Sequence, residues 1–169
     1  MQRRWDIRVM MEDRLWAAAV PGAEAMVRRA ARLSLAAVGA PPGGLTLVLA
    51  DDAALRDLNR RFRGKDWPTN VLSFPDLPRA GRFGDVILAR QTLLREAVRQ
   101  GKRPIGHLAH LVVHAVLHLF GYDHDRLYTA ECMEWQERRI LAHLSLPDPY
   151  RAGAARSGAG RHDFRQIAR

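Results

Sequence analysis

Three histidines in the segment 106–125 have the spacing of a metal site. His114 and His118 are four residues apart, so on an α-helix they lie about 40° apart on one face. Gly121 can take the left-handed conformation that ends a helix, after which the chain could bring His124 back toward the other two. Three neutral imidazoles leave one position of a zinc ion open, which is typical of catalytic rather than structural sites. The alternative is a buried helix whose histidines share a face by chance.

The residue after the first histidine helps to distinguish which kind of hydrolysis a metal at this site could support. The segment 114–124, HAVLHLFGYDH, has the frame H-x-x-x-H-x-x-G-x-x-H, which the metzincin proteases share except that a glutamate follows their first histidine. That glutamate is the general base of peptide hydrolysis. Here the position is Ala115, which can neither accept nor deliver a proton. The segment therefore favours a hydrolysis other than peptide cleavage on the same kind of ion.

Four neighbours of these histidines are weaker candidates. His107 and His110 extend the same helix face, where they could line a groove or relay protons, or be satisfied by hydrogen bonds in the core. Asp123 and Asp125 flank His124 and could orient its imidazole. Capping of the loop would use the same carboxylates, so the spacing leaves both roles open.

Polar and aromatic residues outside this segment offer contacts for a substrate, and each also has a structural explanation. Asp85 could face a cleft or simply start a strand. The polar candidates for binding a substrate, whose groups would equally serve turn and edge-strand bonding, are Thr69, Asn70 and Ser73. The aromatic candidates for stacking on a flat substrate ring, which would equally serve packing, are Trp67 and Tyr122.

The rest of the chain alternates strands and helices that must position the histidine helix. Hydrophobic patterning predicts strands at 5–11, 45–49, 71–74 and 84–90. Glycine, proline and capping signals predict helices at 22–39, 51–62 and 91–101, a histidine helix after Pro104, and a last amphipathic helix over roughly 129–144. The strand–helix–strand order implies a right-handed crossover with some parallel pairing. We expect a single α+β domain with a mixed, roughly four-stranded sheet packed by about five helices.

Composition bounds the class of protein. The 169 residues fit one domain, which we place at 1–148, followed by a flexible basic tail at 149–169. No uncharged apolar run is long enough to predict a membrane span. Cys132 is the single cysteine, which excludes an internal disulfide and suits a reducing cytoplasm.

The net charge of +9 points to polyanionic partners. Five arginines and one aspartate lie in residues 151–169, so +4 of the total is in the tail and +5 is on residues 1–150. A basic protein is drawn to RNA, although charge alone sets no specificity and arginine content also follows genomic base composition.

Two stretches together resemble one family. The segment 114–124 is very close to the H-G-x-L-H-L-x-G-Y-D-H signature of the bacterial endoribonuclease YbeY family of rRNA maturation factors. LNRRFRGKDWPTNVLSFP, at 58–75, and then GDVILAR, at 84–90, match two further segments of that family in the same order. The departure is Ala115, where the signature has glycine, which raises the question whether a methyl group fits there. The basic extension after Tyr150 lies outside the resemblance.

The resemblance implies both a fold and an activity. It implies a mixed four-stranded sheet and one metal ion, usually zinc, held by His114, His118 and His124. It also implies cleavage of single-stranded RNA, 3′-end maturation of small-subunit (16S) rRNA and a part in ribosome quality control, with the small ribosomal subunit as partner and no membrane. The family's functionally important arginine corresponds to Arg63, and we assign catalytic roles to Arg63 and His114.

These assignments make chemical sense, and alternatives remain beside them. A zinc ion lowers the pKa of a bound water toward about 7, or polarises a phosphoryl oxygen. Arg63 offers a planar, permanently charged fork for a phosphate, unless it is merely a solvated loop residue. The competing functions are a metzincin-like zinc peptidase and a non-catalytic ribosome-assembly factor in which zinc staples the last helix to the histidine helix.

Overall fold

The computed structural model describes residues 5–77, 81–122 and 127–151. Four strands and six helices follow one another in this part of the chain: β1 Trp5–Met11, α1 Trp16–Ala19, α2 Ala23–Ala37, β2 Gly43–Ala50, α3 Asp52–Arg63, β3 Val71–Pro75, β4 Arg82–Ala89, α4 Arg90–Arg99, α5 Pro104–Leu119 and α6 Leu127–His143. The expected α+β class and the mixed four-stranded sheet are confirmed. All four predicted strands are present, with ends that differ by up to two residues.

The sheet has the strand order β1-β2-β4-β3. β1, β2 and β4 run parallel, whereas β3 pairs antiparallel with β4 and forms one edge of the sheet. Parallel strands need crossover connections, and the helices between them supply these. The edge strand β3 follows the loop after α3 and pairs with β4, the next strand in the chain.

Helices cover the sheet unequally on its two faces. The larger core lies between the sheet and helices α2 and α5, where Leu47, Leu88 and Leu111 are fully buried. A smaller cluster lies under α3 on the opposite face and includes Leu55 and Leu72. α5 is buried along residues 107–117, as a helix that is apolar almost all round must be. Pro104 in its first turn has no amide hydrogen to leave unsatisfied, which suits this start.

The predicted number of helices was one too low because α1 is only four residues long. So short a helix shows no periodicity that sequence patterning can detect. Tertiary contacts hold it: Trp16 is fully buried, and its indole Nε1 donates a hydrogen bond to the carbonyl of Ala50 at 2.8 Å. The helix predicted from residue 22 begins at Ala23, after Gly22 in the left-handed conformation.

Close approach of β3 and β4 explains a glycine of the G-D segment. Gly84 lies opposite Pro75 with φ of +139°, and a Cβ placed on it would lie 2.1 Å from the carbonyl oxygen of Phe74. Any side chain there would push the edge strand away. The glycine therefore sets the distance between β4 and the strand that borders the histidine helix.

Some predictions lie outside the described residues. His124, Asp123 and Asp125 fall in 123–126, and most of the predicted basic tail falls in 152–169. The boundary between domain and tail therefore stays a prediction. Within the described ranges, no helix is long and apolar enough to cross a membrane.

Candidate metal centre

Helix α5 brings the imidazoles of His114 and His118 together. Their Nε2 atoms lie 3.1 Å apart. Two nitrogen ligands of a tetrahedral zinc ion, each about 2.05 Å from the metal, would be about 3.3 Å apart, so the observed spacing fits a shared ion. His114 is fully buried and His118 is half-buried, which puts the pair where the core meets the surface. The donor set and the spacing therefore suit a metal.

A buried carboxylate fixes the orientation of His114. Oε1 of Glu137, on α6, lies 2.7 Å from Nδ1 of His114, and both side chains are fully buried. A carboxylate can only accept, so Nδ1 carries the hydrogen and Nε2 presents its lone pair toward His118. A carboxylate behind the ring is the usual partner of a metal-binding histidine.

Glu137 accepts two further hydrogen bonds at its other oxygen. His110 donates from Nε2 to Oε2 at 3.1 Å, and the hydroxyl of Tyr150 donates to the same oxygen. Burial opposes ionisation of Glu137, but the hydrogen bonds from His110 and His114 outweigh it and hold the pKa of this carboxyl well below its usual range. The side chain of Glu137 is therefore ionised at neutral pH, and both of its carboxylate oxygens accept hydrogen bonds.

The chain after α6 folds back over this carboxylate. Tyr150 is half-buried, and the guanidinium of Arg138 lies 5.0 Å from its ring centroid. Arg138 also pairs with Asp148 at 3.4 Å. Burial and the negative charge of Glu137 raise the pKa of Tyr150, so its hydroxyl stays protonated and able to donate. Tyr150 lies two residues beyond the predicted domain boundary, yet it contacts the centre of the site.

A second carboxylate, the half-buried Glu96 of α4, lies beside His107 in the first turn of α5. Glu96 accepts from Nε2 of His107 at 2.8 Å and from the amide of Asn70 at 3.0 and 3.2 Å. Burial lowers the pKa of His107, so the neutral ring donates to an ionised Glu96. For Glu96 burial favours the neutral acid, but the hydrogen bonds from His107 and Asn70 prevail and lower its pKa. This contact assigns Asn70 and His107 to the packing of α4, α5 and β3.

Arg63 is the last residue of α3 rather than a loop residue. Gly64 follows in the left-handed conformation, and its amide bonds to the carbonyl of Arg60. Nε and Nη2 of Arg63 are buried and have no hydrogen-bond partner among the described residues. Burial lowers the pKa of Arg63, although a guanidinium stays charged at any ordinary pH. A charged donor edge that the protein leaves unsatisfied is suited to an anionic ligand.

The edge strand β3 contacts both the helix that ends at Arg63 and the helix that carries the histidine pair. α3 packs on one face of β3 and α5 on the other. On the α5 side, the hydroxyl of Ser73 points to the carbonyl oxygen of Ala115 at 3.5 Å. Ala115 itself is fully buried in the larger core, so the methyl group is accommodated where the strand and the helix meet. Ser73 therefore contributes to the packing of β3 on α5.

The remaining candidates lie apart from the histidines or pack nearby. Asp85 pairs with Phe74 across the sheet, which puts it on the α3 face, and it forms an ion pair with Arg82 at 2.5 Å. Thr69 is buried, whereas Trp67 is 49% exposed. Tyr122 is half-buried against the larger core. Of the two aromatic candidates, Trp67 has the larger exposed ring surface for stacking.

Within the described part of the chain, no three His, Cys, Asp or Glu side chains are arranged to hold a metal ion. Two of the three predicted ligands are brought together there, and the third, His124, lies outside the described residues. The complete three-histidine set therefore stays a prediction.

Glu137, which contacts His114, was not identified from the sequence. It lies four residues after Met133 and four before Leu141, both buried, so it occupies the apolar face of α6. A glutamate at such a position is seldom buried without a partner. A glutamate on the apolar face of a helix, in a chain with another helix that carries several histidines, was the sequence signal that could have identified this contact.

Comparison with known proteins finds one family. The sequence model described as endoribonuclease YbeY matches residues 17–145. The chain is 49% identical over 153 residues to the endoribonuclease YbeY of Azorhizobium caulinodans, which covers 86% of this chain and 96% of that protein. It is 50% identical over 146 residues to the endoribonuclease YbeY of Paramagnetospirillum magneticum, covering 80% and 89%.

A solved structure shares the fold. The solution structure of TM1509 from Thermotoga maritima superposes with a TM-score of 0.54 at 20% identity, covering 89% of this chain and 99% of that one. Identity at this level supports the arrangement of helices and strands only.

We predict that Glu137→Gln weakens zinc binding by about 10- to 100-fold, because a neutral amide holds the His114 ring less firmly and makes it a poorer ligand. Competition with a chromophoric chelator measures the affinity. Glu131→Gln, an exposed change on the same helix, serves as the control and should leave the affinity unchanged. Equal affinities of the two variants, both folded by circular dichroism, would contradict the role assigned to Glu137.

We predict that Glu96→Gln lowers the free energy of unfolding by about 1–2 kcal/mol at pH 7, because it replaces charge-assisted hydrogen bonds with neutral ones. The pKa of Glu96 is lower in the folded protein than its ordinary value of 4.5, so the ionised form stabilises the fold above that pH. The stabilisation is lost as the pH falls through the folded pKa.

Urea unfolding of the wild type and Glu96→Gln at several pH values measures this difference. It should shrink steadily below about pH 4.5. Glu24→Gln, which removes an exposed ion pair with Arg28, should show a small difference at every pH. A difference between wild type and Glu96→Gln that stays constant down to pH 3 would refute the account of this carboxylate.

Proposed function

This chain belongs to the endoribonuclease YbeY family, and on that premise we propose that it is a metal-dependent endoribonuclease that cuts single-stranded RNA. The observation that carries the proposal is the His114–His118 pair, whose Nε2 atoms lie 3.1 Å apart while Glu137 holds Nδ1 of His114. Such a pair, with one ring fixed from behind, is suited to a divalent ion.

We assign one zinc ion to His114, His118 and His124. The two described ligands fit by donor type and spacing, and His124 follows His118 by six residues, within reach of a chain that turns back after Gly121. When bound, zinc supplies a Lewis acid that lowers the pKa of water and polarises a phosphoryl oxygen.

The protein's own groups then do three things. Glu137 keeps the hydrogen of His114 on Nδ1, which leaves Nε2 to face the ion. The apolar surroundings of the buried His114 exclude water from behind the ligands, which strengthens local electrostatic interactions. Arg63, with two nitrogens unsatisfied, binds a phosphate and neutralises charge as the scissile group reacts.

The substrate that we propose is rRNA. The family resemblance supports 3′-end maturation of 16S rRNA and a part in ribosome quality control, with the small ribosomal subunit as partner. The net charge of +9 agrees with a polyanionic substrate.

The peptidase alternative lacks a base in the described residues around the pair. Ala115 is fully buried and carries no proton-accepting group. Glu137 contacts Nδ1 of His114, on the side of the ring away from His118, and its own hydrogen bonds keep it a weak base. Phosphodiester cleavage would need no carboxylate at that position, because a zinc ion held by the histidines would supply Lewis-acid chemistry of its own.

We predict that His118→Ala reduces cleavage of single-stranded rRNA fragments to the blank rate, because it removes a ligand. Arg63→Ala should lower kcat by about 100-fold, since it removes one preorganised donor for the developing charge. Gel assays with end-group analysis on zinc-loaded protein measure both effects. Arg8→Ala, an exposed arginine on β1, is the matched control and should cut at the wild-type rate.

Two results would reject the proposal. Zinc-loaded wild type that leaves single-stranded rRNA intact, also with other divalent metals, would exclude the nuclease. Normal rRNA processing in cells that carry Arg63→Ala, together with unfolding on metal removal, would instead identify a non-catalytic assembly factor.

A further inference from the structure

The C-terminal end of α3 carries two exposed aromatic rings. Phe62 is 62% exposed and Trp67, in the loop that follows, is 49% exposed. Aromatic side chains of this size normally bury most of their surface. Two exposed rings close together in the chain therefore suggest a binding surface. Phe62 contacts Phe74 edge to face, with ring centroids 5.1 Å apart, so its position is fixed by packing on β3.

Phe62 and Arg63 are neighbours in the last turn of α3, and the loop that carries Trp67 follows them. Successive residues of a helix differ by 100°, so Phe62 and Arg63 point in different directions from the same turn. Arg56, seven residues before Arg63 and on the same side, forms a two-pronged ion pair with Asp66 at 2.9 Å. That pair holds the loop bearing Trp67 against the Arg63 side of the helix.

The loop position is secured by a second contact. The buried Asn59 donates from its side-chain amide to the carbonyl oxygen of Trp67 at 2.7 Å. The ring of Trp67 is therefore exposed on a backbone that is tied to α3 at two points. A rigid exposed ring loses little entropy when a flat ligand stacks on it.

Each ring also lies beside a cation. The guanidinium of Arg61 lies 5.7 Å from the centroid of Phe62, and Nζ of Lys65 lies 5.8 Å from the centroid of Trp67. Among the described residues, Arg61, Arg63 and Lys65 have no carboxylate partner, whereas Arg56 and Arg60 are paired with Asp66 and Asp57. Three uncompensated positive charges thus accompany the two rings.

We propose that Phe62, Trp67 and the three cations form a stacking surface that guides single-stranded RNA to the cleavage site, with one base on each ring and Arg63 left for the scissile phosphate. The inference rests on the proposed function and adds the residues that hold the strand. Unpaired bases expose the flat faces that such rings bind, whereas a duplex hides them. Cations at the C-terminal end of α3 would also interact favourably with the helix dipole, but that interaction does not explain why the two rings are exposed.

Phe62 also lines a groove in which carboxylates slightly outnumber arginines. This groove, of about 860 Å³, opens along the outer face of the sheet. Its lining includes three carboxylates, Glu12, Asp57 and Asp85, against two arginines, Arg8 and Arg82. The phosphates of a strand stacked on Phe62 are therefore directed to the side of Arg61, Arg63 and Lys65 rather than into the groove.

The test is a binding measurement that needs no cleavage. A short fluorescein-labelled oligouridine is titrated with the His118→Ala protein, with or without Phe62→Ala or Trp67→Ala, and followed by fluorescence anisotropy. Each aromatic change should weaken binding by about 5- to 100-fold, as loss of one stacked base does, and Trp67→Phe should restore most of it. Binding of a duplex of the same length should change less than 2-fold.

The chain supplies a matched control. Trp135 on α6 is 54% exposed, and Arg139 lies 4.5 Å from its ring centroid, so Trp135→Ala removes the same kind of pair elsewhere. It should change binding less than 2-fold. Lys65→Ala and Arg61→Ala should each reduce the slope of log K against log salt by about 0.7, while the aromatic changes leave that slope unaltered.

The outcomes separate this inference from the proposed function. Phe62→Ala and Trp67→Ala proteins that are folded by circular dichroism and bind the oligouridine like Trp135→Ala would overturn the stacking surface, even if the wild type cuts RNA. No binding of the single strand by the parent protein at low salt would overturn it as well. Selective loss of single-strand binding supports it, even if the wild type leaves RNA uncut.

Discussion

The structure around the candidate site depends on one buried ion, the carboxylate of Glu137. Moving a carboxylate out of water costs several kcal/mol unless hydrogen bonds replace its hydration. Here His110, His114 and Tyr150 supply those bonds from α5 and from the segment after α6. Each donor is needed by the ion, and the ion in turn fixes each donor. The tautomer of His114, and with it the direction of its lone pair toward His118, follows from this arrangement.

The edge strand β3 lies between the helix of this centre and the helix that carries Arg63. α5 packs on one face of β3 and α3 on the other, so the histidines and Arg63 are held by a common strand. Gly84 allows β4 to approach it closely. A rigid strand between two helices keeps the side chains that they carry at fixed distances from one another. Active sites are usually supported by rigid elements of this kind.

Sequence patterning predicted what depends on periodicity and local motifs. It gave the four strands, the long helices and the α+β class, because alternation and capping are properties of neighbouring residues. It identified His114 and His118 from their four-residue spacing. It missed α1, which is held by the tertiary contact of Trp16, and it missed Glu137, whose partners lie 23 and 27 residues away in the chain. It also assigned Arg63 to a loop, since the last turn of a helix before glycine is hard to delimit.

The central claim is that Glu137 presets His114 to bind a metal through Nε2 together with His118. A crystal structure of the zinc-loaded protein, with anomalous data at the zinc edge, tests this most directly. We expect one zinc peak about 2.1 Å from Nε2 of both histidines, with Nδ1 of His114 still on the carboxylate of Glu137. Zinc bound through Nδ1 of His114, zinc bound away from this pair, or Glu137 turned away from the ring would contradict the claim.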